Sequence, residues 1–323
     1  MGHTRFNRLQ ILALHPSPIQ LHHIGSLQAV GAAYLPLLVS DAVSSPPETA
    51  AMYSEKLIYL PQHLHPASHR HVEPPPSSCE WTDTSPVSAV LPAPGKGCVF
   101  AVLNDNSKVT PAIASSWLDI LEAAPQATLW TSLQGACSSA IATAPASSSL
   151  SPASRTDISE RVKAHRFADE HDFRRAYRRA DIFLDTPNYG ACSTALLGLW
   201  LGVAMVTAPG ETQKQRALAS MLVTHGAPHT IARNLEEYRR ICVLLALRPA
   251  WLRRLRGLLL ERNAHSPLFH TSLWVKGLER ALSNTWELYA LTQPESSAPA
   301  MVGGMPSAPV SYPNLVIPRD RVS

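Results

Sequence analysis

Residues 180–212 read ADIFLDTPNYGACSTALLGLWLGVAMVTAPGET, and this stretch decides the fold. ADIFL, Ala180 to Leu184, is short and apolar, the pattern of a strand buried on both faces. Pro187 and Gly190 then bend the chain. Thr194 to Leu201 is an apolar segment of helical length, and Gly202 to Thr207 (GVAMVT) is a second buried strand. APGET, Ala208 to Thr212, turns into a further helix, Glu211 to His225, which Gly226 stops. Strands and helices that alternate this closely call for parallel pairing through right-handed crossovers.

The same alternation extends outward. Upstream, Cys98 to Leu103 (CVFAVL) is a strand, and Thr110-Pro111 is an N-cap followed by proline at the first helical position. That helix runs toward Ala124, with Ile113, Trp117, Ile120, Leu121 and Ala124 on one inward face. Ala127 to Leu133 supplies the next strand. Downstream, Asn234 caps a helix with Glu237 at the capping-box position, and Pro249 opens the basic helix WLRRLRGLLLER. A last helix, Thr271 to Tyr289, carries Trp274, Leu278, Leu282, Trp286 and Tyr289 at spacings of four and three. Nearer the start, Pro36 to Asp41 (PLLVSD) and Leu57 to Leu60 flank the helix-prone Pro47 to Ser54 as a strand-helix-strand unit. The expected fold class is α/β, with a doubly wound parallel sheet.

Between the patterned regions the composition changes. Residues 62–97 are rich in Pro, Ser and His and read as a linker, 138–155 reads as a loose Ser/Ala/Pro insertion, and 291–323 as a disordered tail. With 323 residues, 45% of them hydrophobic, the chain can bury the cores of two lobes. Its 28 Lys and Arg against 24 Asp and Glu give a net charge of +4, too mild for a dedicated nucleic-acid partner. The longest apolar runs, such as Ala195 to Val206, fall short of the ~20 residues that span a bilayer, so no membrane partner is expected. No signal-peptide core follows Met1. Cys79, Cys98, Cys137, Cys192 and Cys242 show no CxxC spacing and suit a reducing compartment, cytoplasmic or nuclear.

In an open parallel sheet the ligand site lies beyond the carboxyl ends of the strands. Two features fall there. Lys108 follows CVFAVL within the loop LNDNSK and offers a cation. At LDTPNYGACST a strand ends and a helix opens at Ser193-Thr194, where free amides, the helix dipole and two hydroxyls would suit a diphosphate. The same hydroxyls fit a plain helix cap, and APGET is either a second such turn or only a turn. His63, His65, His69 and His71 lack carboxylate or thiolate partners at ligand spacing, so they do not make a metal site. Arg253, Arg254 and Arg256 lie on an amphipathic helix and read as a solvated face.

Several blocks, in the same order, resemble the catalytic region of protein O-GlcNAc transferases, relatives of the SPINDLY-type O-fucosyltransferases. They are Pro16 to Gln20 (PSPIQ), Ser45 to Pro61 (SPPETAAMYSEKLIYLP), Ala180 to Pro187 (ADIFLDTP), Leu199 to Thr212 (LWLGVAMVTAPGET) and Ser266 to Phe269 (SPLF). The resemblance implies a two-lobed GT-B-like fold, with residues 1–61 a truncated N-terminal lobe and 98–290 the C-terminal nucleotide-sugar-binding lobe. It implies inverting transfer of GlcNAc from UDP-GlcNAc, with no metal or other cofactor, to Ser and Thr of protein acceptors inside the cell. The SPINDLY branch implies GDP-fucose as another donor. In such enzymes a lysine after the first strand of the C-terminal lobe and a His-Thr-Thr trio at a helix start grip UDP. These correspond to Lys108 and to Cys192-Ser193-Thr194. A Glu-Glu-His stretch with a nearby arginine corresponds to DEHDFRR, which marks His171 and Arg174 as further UDP-binding candidates.

The departures are as specific as the matches. Cys192 stands for the trio's histidine, Leu197 for an aspartate of the following helix, and Asp105 for a glutamine shortly before the lysine. Leu27-Gln28 replaces a Pro-Gly pair, and no 34-residue helical repeat is found in the sequence. No residue is singled out as a general base. These departures leave a noncatalytic nucleotide-sugar-binding or scaffold protein as the alternative expectation.

Overall fold

A computed structural model describes residues 7–25, 27–72, 74, 97–104, 106–132, 152–292 and 312–318. The chain forms two compact units. One comprises Met1–Pro66, Glu211–Lys214 and His270–Ser323, the other Ala67–Gly210 and Gln215–Phe269.

The first unit is built on a parallel sheet of β1 (Leu21–His22), β2 (Leu37–Asp41), β3 (Lys56–Leu60) and β9 (Leu315–Val316), in the order β1-β2-β3-β9. Alternate residues of β2 and β3 serve opposite faces. Leu37, Val39, Ile58 and Leu60 pack with Ala281, Tyr312 and Ile317, whereas Leu38, Leu57 and Tyr59 pack with Ala50 and Tyr53.

Two expectations change here. The helix Thr271–Thr292 belongs with this sheet rather than with residues 98–290, and it turns Gly277, Ala281 and Thr285 inward. Leu282 and Trp286 of the anticipated apolar stripe are exposed. Small residues win because the helix lies close against the chain leaving β3: a Cβ on Gly277 would stand 3.3 Å from Pro61. The segment read as a tail supplies β9, where the Asn314 side chain accepts from the Leu57 amide and Ile317 is buried.

The second unit carries a five-stranded parallel sheet in the order β6-β5-β4-β7-β8. Its strands are β4 (Val99–Val102), β5 (Thr128–Ser132), β6 (Val162–His165), β7 (Ile182–Leu184) and β8 (Ala204–Val206). Phe100, Val102, Ile182, Leu184 and Val206 face a layer holding Ile113, Trp117, Ile120, Leu121, Tyr238 and Cys242. Ala101, Phe183 and Met205 face the opposite layer, with Tyr177, Leu196, Trp200, Met221 and Phe269. Both faces are covered by helices, so β4, β7 and β8 read as continuous apolar runs.

Gly202, at φ +71°, ends the helix Ser193–Trp200, and the amide of Val203 bonds back to Gly198 O. A side chain there would be strained in the left-handed region and would also meet Leu260 at 2.5 Å.

Three more readings are corrected. The insertion placed at 138–155 overlaps a helix, Pro152–Arg161, whose Ile158 finds the core. Arg161 secures that helix through the carbonyls of Leu121, Ala124 and Ala127. Residues 62–72 of the linker are engaged. His63 is buried against Asp41 in the first unit, and His69 of the short helix His69–Val72 packs on Trp200 and Phe269 in the second. Arg256 leaves the solvated face expected of it: its Nη1 donates to Asp181 at 2.7 Å and its Nε to Gly202 O at 3.0 Å. No helix among the described residues is long and apolar enough to cross a membrane.

Candidate functional site

From the central strand β4 the chain runs outward through β5 to β6, then returns to β7 and β8 on the other side. The direction reverses between β4 and β7, which pair in parallel. At such a switch point the two following loops part and leave a crevice at the strands' carboxyl ends, the usual ligand position in open α/β sheets.

Both loops carry candidates. After β4 come Asn104 and a 3-10 turn, Asn106–Lys108. After β7 come Asp185, Thr186, Tyr189 and the helix Ser193–Trp200. Lys108 Nζ lies 4.5 Å from the centre of the Tyr189 ring, a cation-π contact that links the loops. Asn104 also bridges them, donating through Nδ2 to Thr186 Oγ1 at 3.1 Å and accepting from the Thr194 hydroxyl at 3.5 Å. Thr186 in turn donates to Tyr189 O. Lys108 and Thr194, singled out separately in the sequence, thus share one bonded cluster.

The helix start differs from a plain cap. Cys192 occupies the N-cap with no side-chain capping bond, which places Ser193 and Thr194 inside the first turn. No acidic residue lies in that turn, so no carboxylate there offsets the positive end of the helix dipole. Ser193 is exposed, and Cys192 and Thr194 are half-buried. Amides, a hydroxyl and a cation at one edge form a suitable cradle for a phosphate group.

Asp185 sits beneath this cradle, completely buried. Its Oδ1 accepts from the Ala191 amide at 2.8 Å and its Oδ2 from the Thr207 hydroxyl at 2.7 Å. Burial pushes its carboxyl up to about 6, against the opposing pull of these bonds, the Thr186 amide and the field of Lys108. The Tyr238 hydroxyl donates to Asp185 O, and Trp117 Nε1 donates to Tyr238.

His171 and Arg174 stand elsewhere. They lie on the helix Glu170–Arg179, which follows β6, and β5 intervenes between β6 and β4. His171 is exposed, while Arg174 pairs with Glu170 at 2.9 Å. Asp105 lies outside the described residues. Leu197, where the resembling enzymes carry an aspartate, is buried in the apolar layer. Asn104, Asp185, Thr186 and Tyr189 were not singled out in the sequence, although a polar residue directly after each apolar strand was the available signal.

The sequence model of glycosyl transferase family 41 matches residues 1–75 and 86–278. The chain belongs to this family. It is 32% identical over 298 residues to the probable UDP-N-acetylglucosamine-peptide N-acetylglucosaminyltransferase SEC of Arabidopsis thaliana, covering 90% of this chain and 29% of that protein. It is 29% identical to the rice (Oryza sativa subsp. japonica) protein SPINDLY, whose name assigns it the same probable activity, covering 93% of this chain and 30% of that one. The chain therefore spans under a third of the length of these plant relatives. A solved structure of a Thermobaculum terrenum O-GlcNAc transferase mutant superposes with a TM-score of 0.71 at 26% identity, over 88% of this chain and 51% of that one. The two parallel sheets are thus those of a GT-B-like glycosyltransferase fold.

Proposed function

We propose that this family 41 chain binds UDP-GlcNAc at the β4–β7 switch point and transfers its GlcNAc, with inversion, to Ser and Thr hydroxyls of protein acceptors. The observation that carries the reading is the Lys108–Tyr189–Asn104–Thr194 cluster beside an uncapped helix start. Lys108 and the first-turn amides would hold the diphosphate and balance the charge that grows on UDP as the glycosidic bond breaks, with no need for a metal. Ser193 and Cys192 line the same turn. His171 and Arg174 would join the nucleotide only from the helix Glu170–Arg179 that follows β6. Support for the donor comes from the activities for which the relatives above are named.

One observation favours a second reading, binding without transfer: Leu197 is buried among apolar side chains and Cys192 stands at the cap, where the family resemblance implies an aspartate and a histidine.

Calorimetric titration with UDP, UDP-GlcNAc and GDP-fucose tests the donor. UDP-GlcNAc is expected to bind, and Lys108→Ala to weaken it by about 2 kcal/mol, the loss of one charge-assisted bond. Absence of binding by every nucleotide would overturn both readings. Tighter binding of GDP-fucose would reassign the donor. Labelled-sugar transfer to a Ser/Thr peptide then separates the two readings, binding without transfer favouring the second.

A further inference from the structure

Asp185 has no part in holding a donor directly, yet it is the best-buried charge at the switch point. Through Oδ1 it fixes the Ala191 amide, one residue before the helix cap, and through Oδ2 it ties this loop to Thr207 at the end of β8. Three elements present titratable groups to it. Lys108 comes from the β4 loop, Tyr177 from the helix Glu170–Arg179 and Tyr238 from the helix Leu235–Leu247. Burial keeps both phenols neutral, so Lys108 is the cation that acts on the carboxylate.

A diphosphate arriving at Lys108 changes this balance. The ammonium then answers two new negative charges, whose field acts on the buried Asp185 carboxyl. The bonds to Ala191 and Thr207 favour Oδ2 as the place for a proton. Oδ1 must remain an acceptor for the Ala191 amide, whereas the Thr207 hydroxyl can rotate and accept, which frees Oδ2 to become a donor.

We propose that Asp185 is the positioning residue of the diphosphate subsite and that donor binding is coupled to its protonation. Without donor, the carboxylate balances Lys108. With donor bound, one proton from solvent adds to Oδ2, no other bond is made or broken, and Oδ1 keeps its hold on Ala191. This inference rests on the nucleotide-sugar reading above.

The test is titration of the intact chain with UDP-GlcNAc between pH 5.5 and 8, in pairs of buffers with different ionisation enthalpies. UDP-GlcNAc is preferred to UDP because its esterified phosphates lack the secondary ionisation near 6 of a terminal phosphate. Affinity is expected to fall about fivefold from pH 6 to pH 8, the effect of a rise of about one pH unit in one carboxyl that starts at about 6, with uptake of about half a proton at most on binding. Asp185→Asn, which keeps the shape and can keep both bonds, is expected to bind equally well across this range without proton uptake. A purely structural role would leave the pH profile unchanged.

A difference infrared spectrum of the wild-type chain with and without UDP-GlcNAc needs no variant. A new protonated-carboxyl band supports the coupling, whereas proton uptake without that band assigns it to another group and overturns the proposal. Binding without proton uptake, or uptake that persists in Asp185→Asn, also overturns it. Failure of UDP-GlcNAc to bind at any pH removes the nucleotide reading itself, and the proposal with it.

Discussion

Asp41 and Asp185 occupy equivalent places in the two units, each directly at the carboxyl end of a buried parallel strand and each within 1% of full burial. Their acidities diverge. Burial raises both, but at Asp41 the His63 hydrogen bond and charge and the Ser44 bonds outweigh it and hold the carboxyl at about 2, whereas Asp185 is left at about 6. Asp41 accepts from the amides of Val43, Ser44 and Leu64 and the Ser44 hydroxyl, with His63 Nδ1 at 3.3 Å. Asp185 has fewer donors, and the cation that acts on it lies against the Tyr189 ring. A buried charge with a full shell of donors holds structure together, while one with a partial shell remains responsive to a ligand.

The largest test of this contrast is Asp41→Ala. Removing the acceptor leaves a buried histidine and several amides without their partner, which should cost the first unit about 4 kcal/mol. Hydrogen exchange at the β2 and β3 amides, compared with those of β4 and β7, reads this loss separately for each sheet. A loss below about 1 kcal/mol would show that the donors of Asp41 are satisfied in other ways.

The second test uses the opposite signs of the two shifts. Asp185 has a folded value raised above its unfolded one, so the folded state holds the proton longer. Stability is greatest below about pH 4 and falls by about 3 kcal/mol as pH rises toward 6. Asp41 is depressed, so its contribution of about 2 kcal/mol is present above about pH 4 and is lost as pH falls toward 2. Exchange rates in the two sheets should therefore respond to acid in opposite directions. Asp185→Asn should flatten the upper limb alone, and parallel responses of both sheets would refute the contrast.

Much of the architecture that carries these carboxylates was legible in the sequence. Strands buried on both faces announce themselves as apolar runs, and local chemistry marks helix starts. Thr110 accepts from the Ile113 amide and Asn234 from the Glu237 amide, as their spacing predicts. What escaped is non-local. β6, VKAH, is a half-buried edge strand with no apolar run, and β1 and β9 are two residues each, too short to carry a period. The helix Thr271–Thr292 offered its large side chains as the inward face, but close approach selected its small ones. The bond from Tyr238 to Asp185 O joins residues 53 apart, and nothing in either local pattern signals the other. Lys108 and the helix start at Ser193-Thr194 could be inferred because sheet geometry fixes where such loops lie. Their partners Asn104 and Asp185 became evident only once the strand order was known.

The smallest expected effect concerns a single donor. Thr207→Val keeps the shape of the side chain but removes the hydroxyl that donates to Asp185 Oδ2. At pH 8, where the carboxylate is charged, the second unit should lose about 1 kcal/mol, a modest figure because Ala191 and Thr186 still donate. At pH 5 the carboxyl is protonated and can direct its own hydrogen elsewhere, so the loss should be smaller. Thr207→Ser restores the hydroxyl and should recover the wild-type profile. Equal losses for Thr207→Val at both pH values would mean that the hydroxyl matters only for packing. Asp185 would then owe its acidity to burial, the amides of Ala191 and Thr186 and the field of Lys108, and the difference from Asp41 would rest chiefly on the contrast between a histidine in direct contact and a lysine acting through space.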